Sequence, residues 1–159
     1  MPEAIRDRAW IAARIPHQGS MCLLDGVVAW DTASVRCTAT SHTHADHPLR
    51  AQGRLAAVCG IEYAAQAMAV HGALLAEATL DSGAQQRPRT GYLASVRKLV
   101  LQVERLDDIA APLEVTAERI SGEGATVLYA FDVSAAGRSL LSGRAAVILD
   151  AAALGGDAG

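Results

Sequence analysis

The chain has 159 residues, a formal net charge of -3 at pH 7, and 51% apolar against 19% charged residues. This length fits one domain with its own core, and the balance is that of a globular protein. The net negative charge, with no cluster of cations, argues against nucleic-acid binding. Cys22, Cys37 and Cys59 lie in apolar runs without a CxxC pair. They predict reduced, buried thiols, and the N-terminal segment lacks an apolar signal core, so we expect a cytoplasmic protein.

The first third of the chain predicts a short helix, two strands and a loop. Residues 2–14 form a candidate amphipathic helix. Residues 21–30, MCLLDGVVAW, are an apolar run typical of a strand, and residues 34–42 alternate as a second strand. A polar, proline-containing loop covers residues 42–53.

The most distinctive segment is residues 55–78, LAAVCGIEYAAQAMAVHGALLAEA. It is helix-forming and apolar nearly all round, and at ~1.5 Å per residue it would span roughly 36 Å. Such a helix lies either in a protein core or in a membrane. It contains Glu62, Gln66 and His71, and many small residues. These features predict a buried central helix packed on a sheet, and no membrane span.

The second half of the chain predicts four strands separated by short turns, over residues 90–105, 113–122, 126–135 and 138–150. Short turns between consecutive strands imply an antiparallel meander. One curved antiparallel sheet wrapped around one long helix is the economical way to bury that helix, an α+β architecture. We therefore predict a single domain over residues 1–150 and a flexible C-terminal tail over residues 151–159.

Glu62 is the strongest candidate for chemistry. A carboxylate inside an apolar helix is expected to be buried, and desolvation then raises its pKa, which suits proton donation at neutral pH. Gln66 lies four residues later on the same face. The alternatives are that Glu62 pairs with a buried arginine or lies at a dimer contact.

The histidines resemble a metal cluster only superficially. His42, His44 and His47 crowd one loop with Asp46, but after His71 the chain has no histidine to complete a ligand set. We therefore expect no metal. His71 faces away from the carboxylate and predicts a core or interface histidine. No nucleotide-binding or nucleophile motif is present, so no cofactor is expected.

Two segments carry a family resemblance. Residues 15–28, IPHQGSMCLLDGVV, resemble the opening motif of the hotdog-fold 3-hydroxyacyl-[acyl-carrier-protein] dehydratases. Residues 60–72, GIEYAAQAMAVHG, resemble their central helix, which has an acidic residue followed four residues later by glutamine. The stretch HPLRAQGRL at 47–55 adds to the likeness, which is greatest for a branch found in aryl polyene and xanthomonadin pigment clusters. The resemblance implies a hotdog fold.

The resemblance also implies a mechanism. In that family a histidine removes the C2 proton of a thioester substrate, and the helix acid protonates the departing 3-hydroxyl. The two groups come from different subunits of a dimer, with the acyl chain in a tunnel along the interface. Glu62 falls on the acidic position and Gln66 on the glutamine, which we expect to orient the acid.

The base is left open by the sequence, because the family's histidine loop is altered here. Counting back from the acid leads to His47, whereas another alignment puts Arg54 in that place. His17 in the opening motif is the other candidate, and a third possibility is a base from another polypeptide. A backbone amide near Gly53 is the expected contact for the thioester carbonyl. Arg54 also belongs to a predicted basic rim for the carrier protein, together with Arg50, Arg87 and Arg89.

These features predict dehydration of a 3-hydroxyacyl thioester to the trans-2-enoyl thioester. The expected partners are an acyl carrier protein with a 4'-phosphopantetheine-linked chain, and a second subunit in a homodimer or in a heterodimer with another hotdog dehydratase. One alternative is a partner subunit of a heterodimeric dehydratase that has no activity of its own. The other is a hotdog acyl thioesterase, which also uses a carboxylate near the central helix.

Overall fold

The computed structural model describes residues 4–17, 19–81, 91–123 and 125–149. Within these ranges one seven-stranded antiparallel sheet packs against one long helix. The elements in chain order are β1 (Arg6–Asp7), α1 (Arg8–Ala12), β2 (Gly26–Trp30), β3 (Ser34–Ala39), α2 (Gly60–Asp81), β4 (Gly91–Leu101), β5 (Leu113–Glu123), β6 (Thr126–Ala135) and β7 (Arg138–Leu149). The predicted fold class is confirmed.

The strands follow the spatial order β1-β2-β3-β5-β6-β7-β4. The predicted meander holds for β5, β6 and β7, which pair as consecutive neighbours. β3 joins the meander by pairing with β5, whereas β4 crosses to the far edge and pairs with β7. In chain order, α2 comes between β3 and β4, and it covers one face of the sheet.

Helix α2 packs on the middle of the sheet, against β3, β5 and β6. Tyr63, Ala67, Val70 and Leu74 are buried on its sheet-facing side. By length and composition the segment Ala57–Thr79 could cross a membrane, but 56% of its most apolar window is buried inside the protein. This burial is what a core helix shows, because the protein's own sheet already covers the apolar face.

The helix begins close to β7 at Gly60. A Cβ placed there would lie 2.6 Å from a terminal carbon of Leu141. Glycine therefore permits the close approach of helix and sheet at this point. The predicted start at residue 55 is wrong by five residues: a 3₁₀ turn at Ala57–Cys59 precedes the helix, which continues to Asp81.

Two N-terminal predictions need correction. The predicted strand over residues 21–30 begins only at Gly26, since Met21 and Leu23 in the preceding segment bond to Gln66 of α2. The predicted helix over residues 2–14 is shortened to Arg8–Ala12, because the side chain of Asp7 accepts a hydrogen bond from the Trp10 N–H and fixes the start. The predicted tail, residues 151–159, lies outside the described residues.

Candidate active site

A groove of about 720 Å³ runs along one side of α2. One wall is formed by Arg14, Pro16 and His17, and the other by residues of β4, β5, β6 and β7. Its floor consists of small helix residues three or four positions apart, Ala65, Ala69, Gly72 and Ala76. Small side chains at helical spacing leave room above one face of the helix, so the groove suits an extended apolar ligand.

Glu62 and His17 face each other in this groove. The Nε2 atom of His17 lies 4.0 Å from Oε2 of Glu62, and the two side chains are 25% and 41% exposed. The distance is too long for a direct hydrogen bond but allows one bridging water. The Nδ1 atom of His17 is buried and has no hydrogen-bond partner among the described residues.

The expectation that Glu62 is buried is wrong for this chain by itself. Its neighbours Tyr63 and Gln66 are buried, while Glu62 lines the groove. The apolar composition of the helix hid this difference, because the groove side is apolar too. Only a second surface over the groove, from a ligand or a partner, would remove the carboxylate from water.

Gln66 holds the chain segment that follows His17. Its side chain is 0% exposed. The N–H of Leu23 donates to Oε1 at 2.9 Å, and Nε2 donates to the carbonyl of Met21 at 2.7 Å. The predicted role of Gln66 as a partner that orients Glu62 is thus corrected: both polar atoms of its amide bond to the backbone within the opening motif.

His47 belongs to a buried network and not to the groove. The Leu49 N–H donates to its Nδ1 at 3.0 Å, so the proton lies on Nε2, which donates to the hydroxyl of Tyr63 at 3.0 Å. Tyr63 donates to Ser41 at 2.7 Å, and Ser41 donates to the carbonyl of Leu23 at 2.8 Å. Burial lowers the pKa of His47 and keeps it neutral. The structure therefore brings His17 to Glu62 and engages His47 elsewhere.

Gly53 and Arg54 form an exposed tight turn, closed by backbone hydrogen bonds between Ala51 and Arg54. Gln52 and Gly53 have φ values of 55° and 77°, which the turn requires. Neither Gly53 nor Arg54 is among the described residues that line the Glu62 groove. Their contact with substrate or carrier stays a prediction.

One arginine of the predicted basic rim, Arg50, already contacts a carboxylate of the protein itself. Arg50 and Arg105 both contact the carboxylate of Asp107, at 3.8 Å in the case of Arg50. Hydrogen bonding from Arg105 holds the pKa of the Asp107 carboxyl well below its usual range. Arg87 and Arg89 lie outside the described residues.

The histidine loop does not form a metal centre in the part of the chain that the structure describes. There, no three His, Cys, Asp or Glu side chains are placed to hold a metal ion. The Nε2 atom of His42 lies 2.8 Å from the carbonyl of Ile109, and burial lowers the pKa of that histidine. His71 is a satisfied core histidine, as expected: it bonds to the hydroxyl of Tyr129 and to the carbonyl of Asp31.

Two groove residues escaped the sequence reasoning. Arg119 on β5 and Tyr129 on β6 both line the groove. The available signal was the alternation along β5, which puts Arg119 on the same face as the buried Val115 and Ala117. A cation on the inner face of a strand is uncommon and marks a special environment.

One antiparallel sheet wrapped around one helix, with an acid and a histidine in a groove beside that helix, defines a hotdog-fold enzyme. The model of the ApeP-like family, described as ApeP dehydratase, matches residues 9–153. The chain belongs to this family and is a dehydratase. Among curated proteins none matches the chain significantly.

Solved structures share the fold. The dehydratase heterocomplex ApeI:P from Xenorhabdus doucetiae contains a chain with a TM-score of 0.73 and 22% identity, over 87% of this chain and 90% of that one. A mutant thioesterase from Pseudomonas aeruginosa gives a TM-score of 0.59 and 15% identity, over 92% and 96%. A hypothetical thioesterase from Streptococcus pneumoniae, solved with coenzyme A, gives 0.55 and 11%, over 77% and 83%.

Proposed function

We propose that this dehydratase converts a 3-hydroxyacyl thioester on acyl carrier protein into the trans-2-enoyl thioester, in aryl polyene biosynthesis. The observation that supports the proposal is the 4.0 Å approach of His17 and Glu62 within one apolar groove. The two side chains lie close enough together to reach adjacent carbons of one bound acyl chain, as the proposed base and the proposed acid. The proposed pair comes from one chain, whereas the family resemblance implied two subunits.

The reaction needs neutral His17 and protonated Glu62. His17 Nε2 removes a proton from C2, and the electron pair of that bond forms the C2–C3 double bond. The 3-hydroxyl leaves as water with the proton from Glu62.

The same contact could restore the starting protonation of His17 and Glu62 after each turnover. After one turnover His17 carries a proton and Glu62 lacks one. At 4.0 Å the proton can return from the histidine to the carboxylate through one bridging water. The pair therefore needs no outside acid or base between turnovers.

We further propose a second dehydratase subunit as partner. The similar chain from Xenorhabdus doucetiae comes from a dehydratase heterocomplex. Here, β4 forms one edge of the sheet, and several of its apolar side chains are exposed where the groove opens. A second subunit at this edge would cover both. The buried thiols of Cys22 and Cys37 fit the proposed cytoplasmic location.

The test is an assay of the purified chain, with and without a candidate partner subunit, on a 3-hydroxyacyl carrier protein. Loss of one water from the carrier-bound chain, followed by mass spectrometry, is the expected result. Glu62→Gln should lower the rate by about 10²- to 10⁴-fold, the usual contribution of a positioned acid. Glu77→Gln is the matched control, since Glu77 lies on the same helix but pairs with Arg6 and Arg14.

Three outcomes separate the alternatives. Release of the free carrier thiol without enoyl product would establish a thioesterase and contradict the proposal. Enoyl product that forms only with the partner, and at the same rate with Glu62→Gln, would make this chain a partner without catalytic groups. Dehydration that depends on Glu62 supports the proposal.

A further inference from the structure

Besides His17 and Glu62, the groove has a second pair of polar side chains, on the wall that the sheet forms. Arg119 of β5 and Tyr129 of β6 are register partners in adjacent strands, and both line the groove. Register partners in antiparallel strands project to the same face, with Cβ atoms about 5 Å apart. The two polar side chains therefore stand together in a wall otherwise formed by apolar residues such as Val127, Val147 and Leu149.

The hydroxyl of Tyr129 already donates its hydrogen to another side chain of the protein. His71 Nε2 lies 2.9 Å from the carbonyl of Asp31, which can only accept, so the ring proton is on Nε2. The other ring nitrogen, Nδ1, lies 2.7 Å from the Tyr129 hydroxyl and must accept from it. Tyr129 is thus left with lone pairs and no hydrogen, so toward the groove it can only accept a hydrogen bond.

Arg119 supplies the complementary donor. Its guanidinium lies over Gly122, in space that a Cβ at that position would occupy. Among the described residues no carboxylate lies within ion-pair distance of it, unlike Arg36 on β3, which pairs with Glu114. Gly122 therefore leaves room for the guanidinium beside the backbone, and Arg119 is one of the residues that line the groove.

We infer that Arg119 and Tyr129 form a specificity site for a hydroxyl group carried by the acyl chain away from the reacting carbons. A hydroxyl accepts from Arg119 and donates to Tyr129, so it satisfies both. A methyl end would leave the guanidinium without water or partner in a closed groove, which is costly. A carboxylate would pair with Arg119 but face the lone pairs of Tyr129. This inference rests on the proposed function, because it takes the groove to be the acyl site.

The site lies at a defined distance from the reacting pair. The Tyr129 hydroxyl lies 2.7 Å from Nδ1 of His71, which ties the site to that position of α2. His71 is nine residues after Glu62, which corresponds to about 13 Å along the helix axis. The preferred hydroxyl is therefore expected about 13 Å from the carbon that loses water.

Binding tests the site without relying on turnover. The probes are two pantetheine thioethers of equal chain length, one ending in a methyl group and one in a hydroxyl. Their dissociation constants are measured by calorimetry on the wild-type protein, together with its partner subunit where one is needed for activity. A hydrogen bond to a charged group corresponds to about a 10- to 100-fold preference for the hydroxyl probe.

Two variants and one control test which residues cause the preference for the hydroxyl probe. Arg119→Met keeps the alkyl stem and should abolish the preference while leaving the methyl probe bound as well as before or better. Tyr129→Phe should reduce the preference, because it removes the acceptor. The control is Arg144→Met, since Arg144 is exposed on the neighbouring β7 and does not line the groove.

Equal binding of the two probes by the wild-type protein would overturn the inference. So would equal weakening of both probes by Arg119→Met, which would show a structural role. A hydroxyl preference in a protein that does not dehydrate 3-hydroxyacyl thioesters would support the site and contradict the proposed reaction instead. Normal dehydration without a hydroxyl preference would contradict the site alone.

Discussion

His17 and His47 illustrate how surroundings decide the role of a residue. His17 has one ring nitrogen aimed at a carboxylate across an accessible groove, whereas both ring nitrogens of His47 bond to buried protein groups. A base must reach the substrate, so His17 can act in catalysis, whereas His47 stabilises the fold. This contrast gives each histidine a different expected phenotype.

His47→Ala should destabilise the protein by about 1–3 kcal/mol, since it leaves the hydroxyl of Tyr63 and the N–H of Leu49 without their partner. His17→Ala should change stability by less than about 0.5 kcal/mol and yet remove most of the activity. Urea unfolding and the dehydration assay, run on both variants, check this. A stable, inactive His47→Ala protein would reverse the assignment.

Buried histidines also predict how stability depends on pH. Burial lowers the pKa of His42, His47 and His71 from the ordinary value of 6.5. Between the folded and unfolded values the unfolded chain binds more protons, so stability rises with pH there. The protein should therefore lose stability as the pH falls below 6.5.

Urea unfolding at about pH 7.5 and about pH 5.5 measures this loss, in a window where histidine titrates. The carboxylates with lowered pKa, Asp31 and Asp107, act in the same direction but below the ordinary value of 3.8. Equal or greater stability at the lower pH would show that the three histidines are not held neutral in the fold.

The candidate residues were predictable from the sequence to different degrees. Glu62 was predictable because a carboxylate stands out in an apolar helix. The choice of His17 over His47 was not, since it depends on which face of α2 the opening motif packs against. The environment of Glu62 was also not predictable, because an apolar groove and an apolar core have the same composition.

At the scale of elements, the segment between α1 and β2 is held by side chains and not by a strand ladder. Gln66 binds it at Met21 and Leu23, and Ser41 binds the same stretch at the carbonyl of Leu23. Because His17 precedes this stretch, we expect α2 to position the candidate base as well as to carry the candidate acid.

Gln66→Leu tests this positioning. It leaves a buried N–H and a buried carbonyl without partners, at about 1–3 kcal/mol each. The variant should therefore be less stable and also lower in kcat, with KM less affected, because His17 loses its place while the groove keeps its apolar floor. Gln102→Leu is the control, since Gln102 is exposed. Unchanged kcat in a destabilised Gln66→Leu protein would show that Gln66 acts on stability alone.

The bounds of β5, β6 and β7 were predicted more accurately than the order of the strands in the sheet. Alternation and turn signals set β5, β6 and β7 to within one residue of their bounds. The placement of β4 at the far edge beside β7 depends on long-range pairing, which local patterns do not contain. The late start of the first predicted strand, at Gly26 instead of residue 21, had a tertiary cause too, namely the bonds that Gln66 makes.

At the scale of the whole molecule, the two edges of the sheet differ. β1 has two residues, and such a short edge offers little to pair with. β4 has 11 residues, and Leu99, Val100 and Leu101 are exposed along it. A long apolar edge strand is a template for pairing with another chain. We therefore expect the assembled dehydratase to have its subunit interface at β4.

The double substitution Val100→Glu with Leu101→Glu should prevent this association, because it puts charge on the edge. Light scattering coupled to size-exclusion chromatography gives the mass of the assembly, for the chain alone and with its partner. Ile5→Glu is the control, since Ile5 is equally exposed but lies at the opposite edge, beside β1. An assembly that survives the β4 substitutions but dissociates with Ile5→Glu would move the interface to the other edge.

The central claim is that His17 and Glu62 act as one catalytic pair. Its most direct test is the dehydration rate of wild type, His17→Asn, Glu62→Gln and the double variant, all assayed in the assembled protein. Residues that act as a unit are strongly non-additive. We predict that each single variant loses about 10²-fold or more and that the double variant is hardly slower than the slower single one. Single variants that retain nearly full activity, or losses that multiply in the double variant, would contradict the account.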